Sequence, residues 1–214
     1  MSPKILVEIS GRHVHLSEKD KTELFGADYV LTKLKDLSQP GLFACQETVE
    51  IQVGEKKLKK VRIIGPPRAQ TQIEISQTDG YFLKIEAPLR LSGDLADSPE
   101  CKIIGPKGEV NLKEGLIIAK RHLHLSPEEA RGFNLKNNQE ISLKIDGERG
   151  LTFHKIIARV SPDYKAAVHL DTDEGNAAGI VNKTYGEISF GYKKLKMKSE
   201  KWKTTKKNLK MNLR

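Results

Sequence analysis

Long apolar runs are missing from this chain of 214 residues. A helix needs about 20 consecutive apolar residues to cross a bilayer. No stretch approaches that length, and the opening MSPKILVEIS lacks the apolar core and cleavage site of a secretory leader. No membrane span and a cytoplasmic location are expected. Cysteine is scarce as well: Cys45 and Cys101 stand far apart without Cys-x-x-Cys spacing. That excludes a disulfide framework and a thiolate zinc site, and leaves two buried thiols. Histidine completes the short supply, with only six in the chain, and four of those six are spent in two near-identical heptapeptides, GRHVHLS at 11–17 and KRHLHLS at 120–126.

The net charge of +9 is concentrated at one end. From Lys193 onward there are nine lysines and Arg214 against Glu200, so the preceding residues balance at zero. The tail shows no Gly-rich, RRM-like or zinc-finger pattern, which argues against a folded nucleic-acid module. Its default state is a solvated extension, although Leu195, Trp202 and Leu209 recur every seven residues and would suit a basic amphipathic helix with an acidic partner. In the balanced body, short alternating segments dominate: KILVEIS, ETVEIQV, KKVRIIG, QIEIS, YFLKIEA, GLIIAK, EISLKID and AAVHLDT. Strands at this spacing, with few stretches of helical period, predict a mainly β chain of small barrels or a sandwich. The best helix candidates follow the two histidine motifs, with Ser17 and Ser126 as N-caps and Pro127 at the favoured first position.

The repeat runs beyond the heptapeptides. At an offset of 109, ILVEISGRHVHLSEKD aligns with LIIAKRHLHLSPEEA, and each copy later reaches a Pro followed seven residues on by a ligand-type side chain. Pro67 leads to Glu74, and Pro162 leads to His169. Residues i and i+2 of a strand share a face, so His13 with His15, and His122 with His124, can each offer two imidazoles to one cation. Glu74 and His169 supply third ligands. Three protein ligands leave zinc an open position, the arrangement of a catalytic rather than a structural site. A lone His-x-His pair is as readily a packing feature, but two in register, each with a matching third residue, favour metal. His154 has no counterpart and reads as a strand histidine.

The motifs SGRHVHLSEKD, KDLSQPGLFACQETVEI, VRIIGPPRAQTQIEISQTD, APLRLSGDLADSP, IIGPKGEVNLKEGLIIAKRHLHLSPEEA and HLDTDEGNAAG occur in order from about Ile5 to Gly179. Together they make the chain resemble the PduL-type phosphate propanoyltransferases, or phosphotransacylases. The resemblance implies two small β-barrel domains related by internal duplication, with short flanking α-helices. The repeats are placed at 5–92 and 93–192, with the N-terminal strand open to exchange between barrels, and the basic tail occupies 193–214. It further implies reversible transfer of a short acyl group, acetyl or propanoyl, between coenzyme A and phosphate at a two-zinc site. One zinc falls on His13, His15 and Glu74, the other on His122, His124 and His169. Arg68 matches the family's phosphate-contacting arginine, and Ser92 and Asn176 match positions associated with the phosphate pocket. By themselves Ser92 reads as a turn serine and Asn176 as a helix-start asparagine.

The expected partners are therefore coenzyme A, acyl phosphate and phosphate, with homo-oligomer formation left open. Arg68 and Glu74 carry the chemistry, and no protein nucleophile is needed. Gly11 and Gly175 stand where relatives often have Ala, small changes expected to act on loop stiffness rather than on ligation. Microcompartment relatives carry an amphipathic extension before the first barrel, whereas about four residues precede the first strand here, so free cytoplasmic work is the expectation. A zinc-dependent hydrolase using His-x-His ligands is the rival reading. It lacks support in the chain's rhythm, because the barrel usual for such enzymes alternates strands and helices.

Overall fold

The computed structural model describes residues 4–181 and 183–189. The basic tail, with the Leu195, Trp202 and Leu209 spacing, lies outside the described residues. Two sheets dominate, as the alternating segments predict. The first is a curled nine-stranded sheet, built from β2 (His13–His15), β3 (Lys33–Asp36), β4 (Phe43–Val53), β5 (Lys56–Gly65), β6 (Gln72–Ile75), β7 (Leu89–Arg90), β8 (Cys101–Ile104), β9 (Glu109–Leu112) and β10 (Leu116–Ala119). The second is a closed six-stranded barrel of β1 (Lys4–Ile9), β11 (His122–Leu125), β12 (Glu140–Ile145), β13 (Leu151–Val160), β14 (Ala167–Leu170) and β15 (Thr184–Ser189). Each encloses its own apolar core. Val14, Ile51, Ile63, Ile73 and Ile103 pack inside the first, and Val7, Leu123, Leu143, Ile156 and Val168 inside the second.

Sheet membership crosses the division at residues 92 and 93, and it does so reciprocally. Strand β1, from the start of the chain, runs parallel to β14 with Glu8 opposite His169. Strand β10, just before the second histidine motif, runs parallel to β6 with Ile117 opposite Glu74. Each repeat thus lends the strand ahead of its own motif to the other repeat's sheet, and β8 and β9 join the first sheet as well. The remaining registers are equivalent. Strand β2 lies antiparallel to β6 and parallel to β5, just as β11 lies antiparallel to β14 and parallel to β13.

Four short helices close the turns: α1 (Glu18–Phe25), α2 (Gln77–Leu83), α3 (Pro127–Gly132) and α4 (Thr172–Ala177). Ser17 and Ser126 are the N-caps of α1 and α3, each accepting from a backbone N–H in the first turn, and Pro127 opens α3. The segment YFLKIEA departs from the expected strand: Tyr81, Phe82 and Leu83 belong to α2. The cause is local. Ser76 accepts from Asp79 N while Asp79 Oδ2 accepts from Ser76 N, a capping box that starts a helix, and Lys84 ends it in a left-handed conformation. The same device at Asp171 and Glu174 starts α4. Asn176 therefore sits near the end of that helix, not at its start. Among the described residues no helix is long and apolar enough to cross a membrane.

Candidate metal and phosphate site

Sheet pairing assembles the ligand-type side chains. In the antiparallel pair β2 and β6, His13 stands opposite Glu74, and His15 follows two residues on. Directly opposed residues on one face bring their Cβ atoms to about 4.5–5.5 Å. Three strand positions therefore converge. Ligand atoms of His13, His15 and Glu74 lie within 4.8 Å of one another, and all three side chains are buried. The duplicate pairing places His122 opposite His169 in β11 and β14, with His124 beside them. Here the ring centroids are 4.6 Å apart for His122 and His124, 5.2 Å for His122 and His169, and 5.0 Å for His124 and His169. This second triad is gathered less tightly, since among the described residues only the first meets the 4.8 Å spacing. His122 and His169 are stacked, 13° from parallel, and rotation about their ring torsions is what would turn their nitrogens to a common point.

Both triads open on one cavity of about 720 Å³, which Arg68, Ser92, Arg159 and Tyr164 also line. The hydrogen bonds already made define which nitrogens are left. His13 Nδ1 contacts the Gly11 carbonyl at 2.8 Å, and His122 Nδ1 contacts the Lys120 carbonyl at 2.8 Å. A carbonyl can only accept, so each Nδ1 carries a proton, and the tautomer this selects for the neutral ring has its lone pair on Nε2. His15 Nδ1, both ring nitrogens of His124, and His169 Nε2 are buried without a hydrogen-bond partner. Buried polar atoms of this kind normally find one, and a cation in each triad would satisfy one nitrogen of each ring. The donor set, imidazole with one carboxylate, fits zinc.

Electrostatics keep these groups in their ligating forms. Burial pulls His15 and His122 below the usual imidazole range, holds His169 down at about 4, and with the neighbouring His122 and His169 takes His124 to about 2. Metals bind the neutral ring. Burial alone would raise the Glu74 carboxyl, but His13 and His122, the hydrogen bond from Ser92 and the charge of Arg68 hold it below its ordinary value. Glu74 Oε2 lies 3.6 Å from His13 Nε2, and Oε1 accepts from Gln72 Nε2 at 2.6 Å.

Arg68 is fixed at both ends. Its backbone N–H donates to the Leu16 carbonyl at 2.8 Å, and its Nη1 donates to Ser92 Oγ at 3.3 Å. Gln72 Nε2 also donates to Ser92 Oγ, at 2.8 Å, so the turn serine joins the arginine to the first triad. Asn176 is the site residue the structure leaves apart. It is exposed on α4 and does not line the cavity, because α4 packs its buried Gly175 inward. A Cβ on Gly175 would come 2.5 Å from Ile9 Cδ1, so this glycine serves helix packing rather than loop stiffness. Cys45 and Cys101 are buried away from the cavity, and burial pushes their thiols up to about 11 and about 12. His154 lies on β13, in contact with Ser142 Oγ at 2.8 Å.

Four further residues at the site carried no sequence signal strong enough to mark them. Gln72 precedes Glu74 by two on the same strand face, which is the one pattern that would have suggested it. Glu8 reaches the site only through strand exchange, opposite His169, and is hydrogen-bonded by Ser38 and paired with Lys183 at 2.7 Å. Tyr164 stacks on His124 at 4.0 Å, and Arg159 lies over the Tyr164 ring at 5.7 Å.

Fold and site together define a duplicated β protein whose two halves each bring a candidate metal triad to a shared, arginine-lined cavity. The family model for phosphate propanoyltransferase matches residues 6–181, and the chain belongs to that family. It is 48% identical over 184 residues to the phosphate propanoyltransferase of Clostridioides difficile, an alignment covering 86% of this chain and 88% of that one. Its identity to the phosphate propanoyltransferase of Listeria monocytogenes is 44%, covering 85% of each chain. With that of Thermotoga maritima it is 44%, covering 82% of this chain and 84% of the other.

Proposed function

We propose that this chain is a phosphotransacylase that moves a short acyl group, acetyl or propanoyl, between coenzyme A and phosphate at a two-zinc site. The observation that carries the reading is the opening of both triads and of the Arg68 side chain onto one cavity. His13, His15 and Glu74 would hold one zinc, and His122, His124 and His169 the other. Bound there, zinc supplies Lewis acidity that favours thiolate over thiol and offsets charge on the acyl oxygen.

The chain's own groups do the rest. In the acyl phosphate direction the coenzyme A sulfur attacks the acyl carbon, a C–S bond forms, the bond from that carbon to the phosphate oxygen breaks, and phosphate leaves with the electron pair. Arg68 presents a planar fork suited to the phosphoryl oxygens, and its hydrogen bond to Ser92 limits its rotation. Carbonyl contacts at His13 and His122 hold those rings in one tautomer, so neither needs to reorganise during transfer. Among the described residues no thiol is placed to form a covalent acyl-enzyme, since Cys45 and Cys101 are buried outside the cavity with raised pKa values. This favours direct transfer within a ternary complex.

The test mixes the purified protein with coenzyme A and acetyl or propanoyl phosphate and follows thioester absorbance, with zinc per chain measured in parallel. Thioester formation that a chelator abolishes and zinc restores is the expected result. Hydrolysis of esters or amides without any thioester product would favour the hydrolase instead.

A further inference from the structure

Two guanidinium groups converge on one residue of the cavity wall. Arg68 Nη1 donates to Ser92 Oγ at 3.3 Å, and Arg159 Nη2 donates to the Ser92 carbonyl oxygen at 3.4 Å. Arg68 comes from the loop ahead of β6 in the first repeat, and Arg159 from β13 in the second, where it stands opposite His124. The two positions are not equivalents in the duplication: counted from the prolines that precede the third ligands, Arg68 follows Pro67, whereas Arg159 comes three residues before Pro162. The second arginine is therefore not a relic of repeating the first.

Arg159 is also held in place. Its guanidinium lies over the Tyr164 ring at 5.7 Å, and Tyr164 in turn stacks on His124 at 4.0 Å. Among the described residues neither Arg68 nor Arg159 is in an ion pair, and Glu74, the nearest carboxylate to the cluster by hydrogen bonding, is committed to Gln72 and to the first triad. Two cations brought together at a partly closed wall repel one another unless an anion lies between them. Most arginines in such a position find a carboxylate. Here the cavity itself is what remains to supply the negative charge.

We infer that Arg159 is the second arm of the phosphate site, closing on the phosphoryl group from the side opposite Arg68 through the shared anchor Ser92. The inference rests on the phosphotransacylase reading and extends it to a residue on the other repeat. A phosphoryl group near neutral pH carries about 1.5 to 2 negative charges, and two guanidinium groups come closer to matching that charge than one. Each repeat then contributes one triad and one arm, so phosphate is held only when both halves are in place. Coenzyme A also carries phosphates, and the same chemistry would serve them. The shared hydrogen bonding to Ser92 beside the triads favours the transferred group.

The experiment compares the full chain with its Arg159→Met and Arg159→Lys variants. Wild-type thioester formation is the control for the parent reading, and its absence would count against that reading alone. In Arg159→Met the KM for acetyl phosphate, and for inorganic phosphate in the reverse direction, should rise roughly 10- to 100-fold, the loss of one charge-assisted contact. The KM for coenzyme A should stay within about twofold, and Arg159→Lys should recover part of the loss because it restores charge without the fork. Calorimetric titration of inorganic phosphate into wild type and Arg159→Met reads the same contact without turnover. Unchanged phosphate KM and binding overturn the inference, as does a rise confined to coenzyme A. Loss of zinc in proportion to activity would reduce Arg159 to support of His124 and overturn it too.

Discussion

Replacing Glu74 with Gln removes one negative charge and keeps the side chain's shape, which separates charge from packing. In the folded chain Glu74 Oε1 accepts from Gln72 Nε2 at 2.6 Å and Oε2 lies 3.6 Å from His13 Nε2. An amide must turn its NH2 toward one of these two positions, where it meets either another donor or the place a cation would occupy. A hydrogen bond to a charged group contributes about 1.5–3 kcal/mol, and about 1.4 kcal/mol is tenfold, so zinc affinity at the first site should fall roughly 10- to 100-fold. The three imidazoles of the second triad keep their donors. A carboxylate with two neutral histidines would leave a bound zinc at +1 and three histidines would leave it at +2, so in the proposed two-zinc site the first position would better balance an incoming thiolate and the second would be the stronger Lewis acid. Glu74→Gln should thus weaken one of two zinc equivalents in chelator competition and raise the KM for coenzyme A more than that for acetyl phosphate. His169→Ala should do the converse. Two zinc ions retained at unchanged affinity in both variants, with identical kinetic losses, would refute the division of labour.

Arg68→Lys should keep the fold and zinc content but lower kcat/KM roughly 10- to 100-fold, because an ammonium cannot reproduce the two-pronged contact; near-wild-type phosphate dependence would remove Arg68 from the site. Acid should unfold the metal-free chain early. His169 and His124 are held at about 4 and about 2 in the fold, against about 6.5 when unfolded. The unfolded chain therefore takes up protons first, and stability, fully present above about pH 6.5, falls as the pH drops toward 4 by up to about 1.4 kcal/mol per unit for each histidine. Denaturant melts of chelator-treated protein check this, and a flat profile from pH 7 to 4.5 contradicts it, whereas His124→Gln with His169→Gln should flatten the slope. Gly175→Ala should destabilise by about 1–3 kcal/mol through its clash with Ile9 Cδ1, and Ile9→Val, which deletes that atom, should recover part of the loss in a thermal melt.

Much of the site is written locally. Strand alternation puts His13 with His15 and His122 with His124 on common faces, and this depends only on the period of a strand. Ser17 and Ser126 start helices because their side chains cap the backbone N–H groups a few residues ahead. The shared spacing of seven residues after Pro67 and after Pro162 pairs Glu74 with His169 before any contact is known. Where local cues conflict, the reading goes astray. YFLKIEA alternates like a strand, yet the capping box at Ser76 and Asp79 turns its first residues into the end of α2.

Other features exist only in three dimensions. That β1 and β10 trade sheets depends on hydrogen-bond partners in distant segments of the chain, to which alternation is blind, and only that exchange brings Glu8 opposite His169. Asn176 falls within a matching motif, yet α4 packs through Gly175 and leaves it exposed outside the cavity. Arg159 shares no motif with Arg68 and belongs to the other repeat, so their meeting at Ser92 follows from the docking of barrel against curled sheet. The sequence by itself determined the candidate ligand side chains, their pairing on strand faces and the twofold repeat, because these depend on residues close in the chain or on its internal copy. Which halves exchange strands, which side chains share the cavity and which arginines meet at Ser92 were decided by tertiary structure, because they depend on distances between segments that the order of residues does not contain.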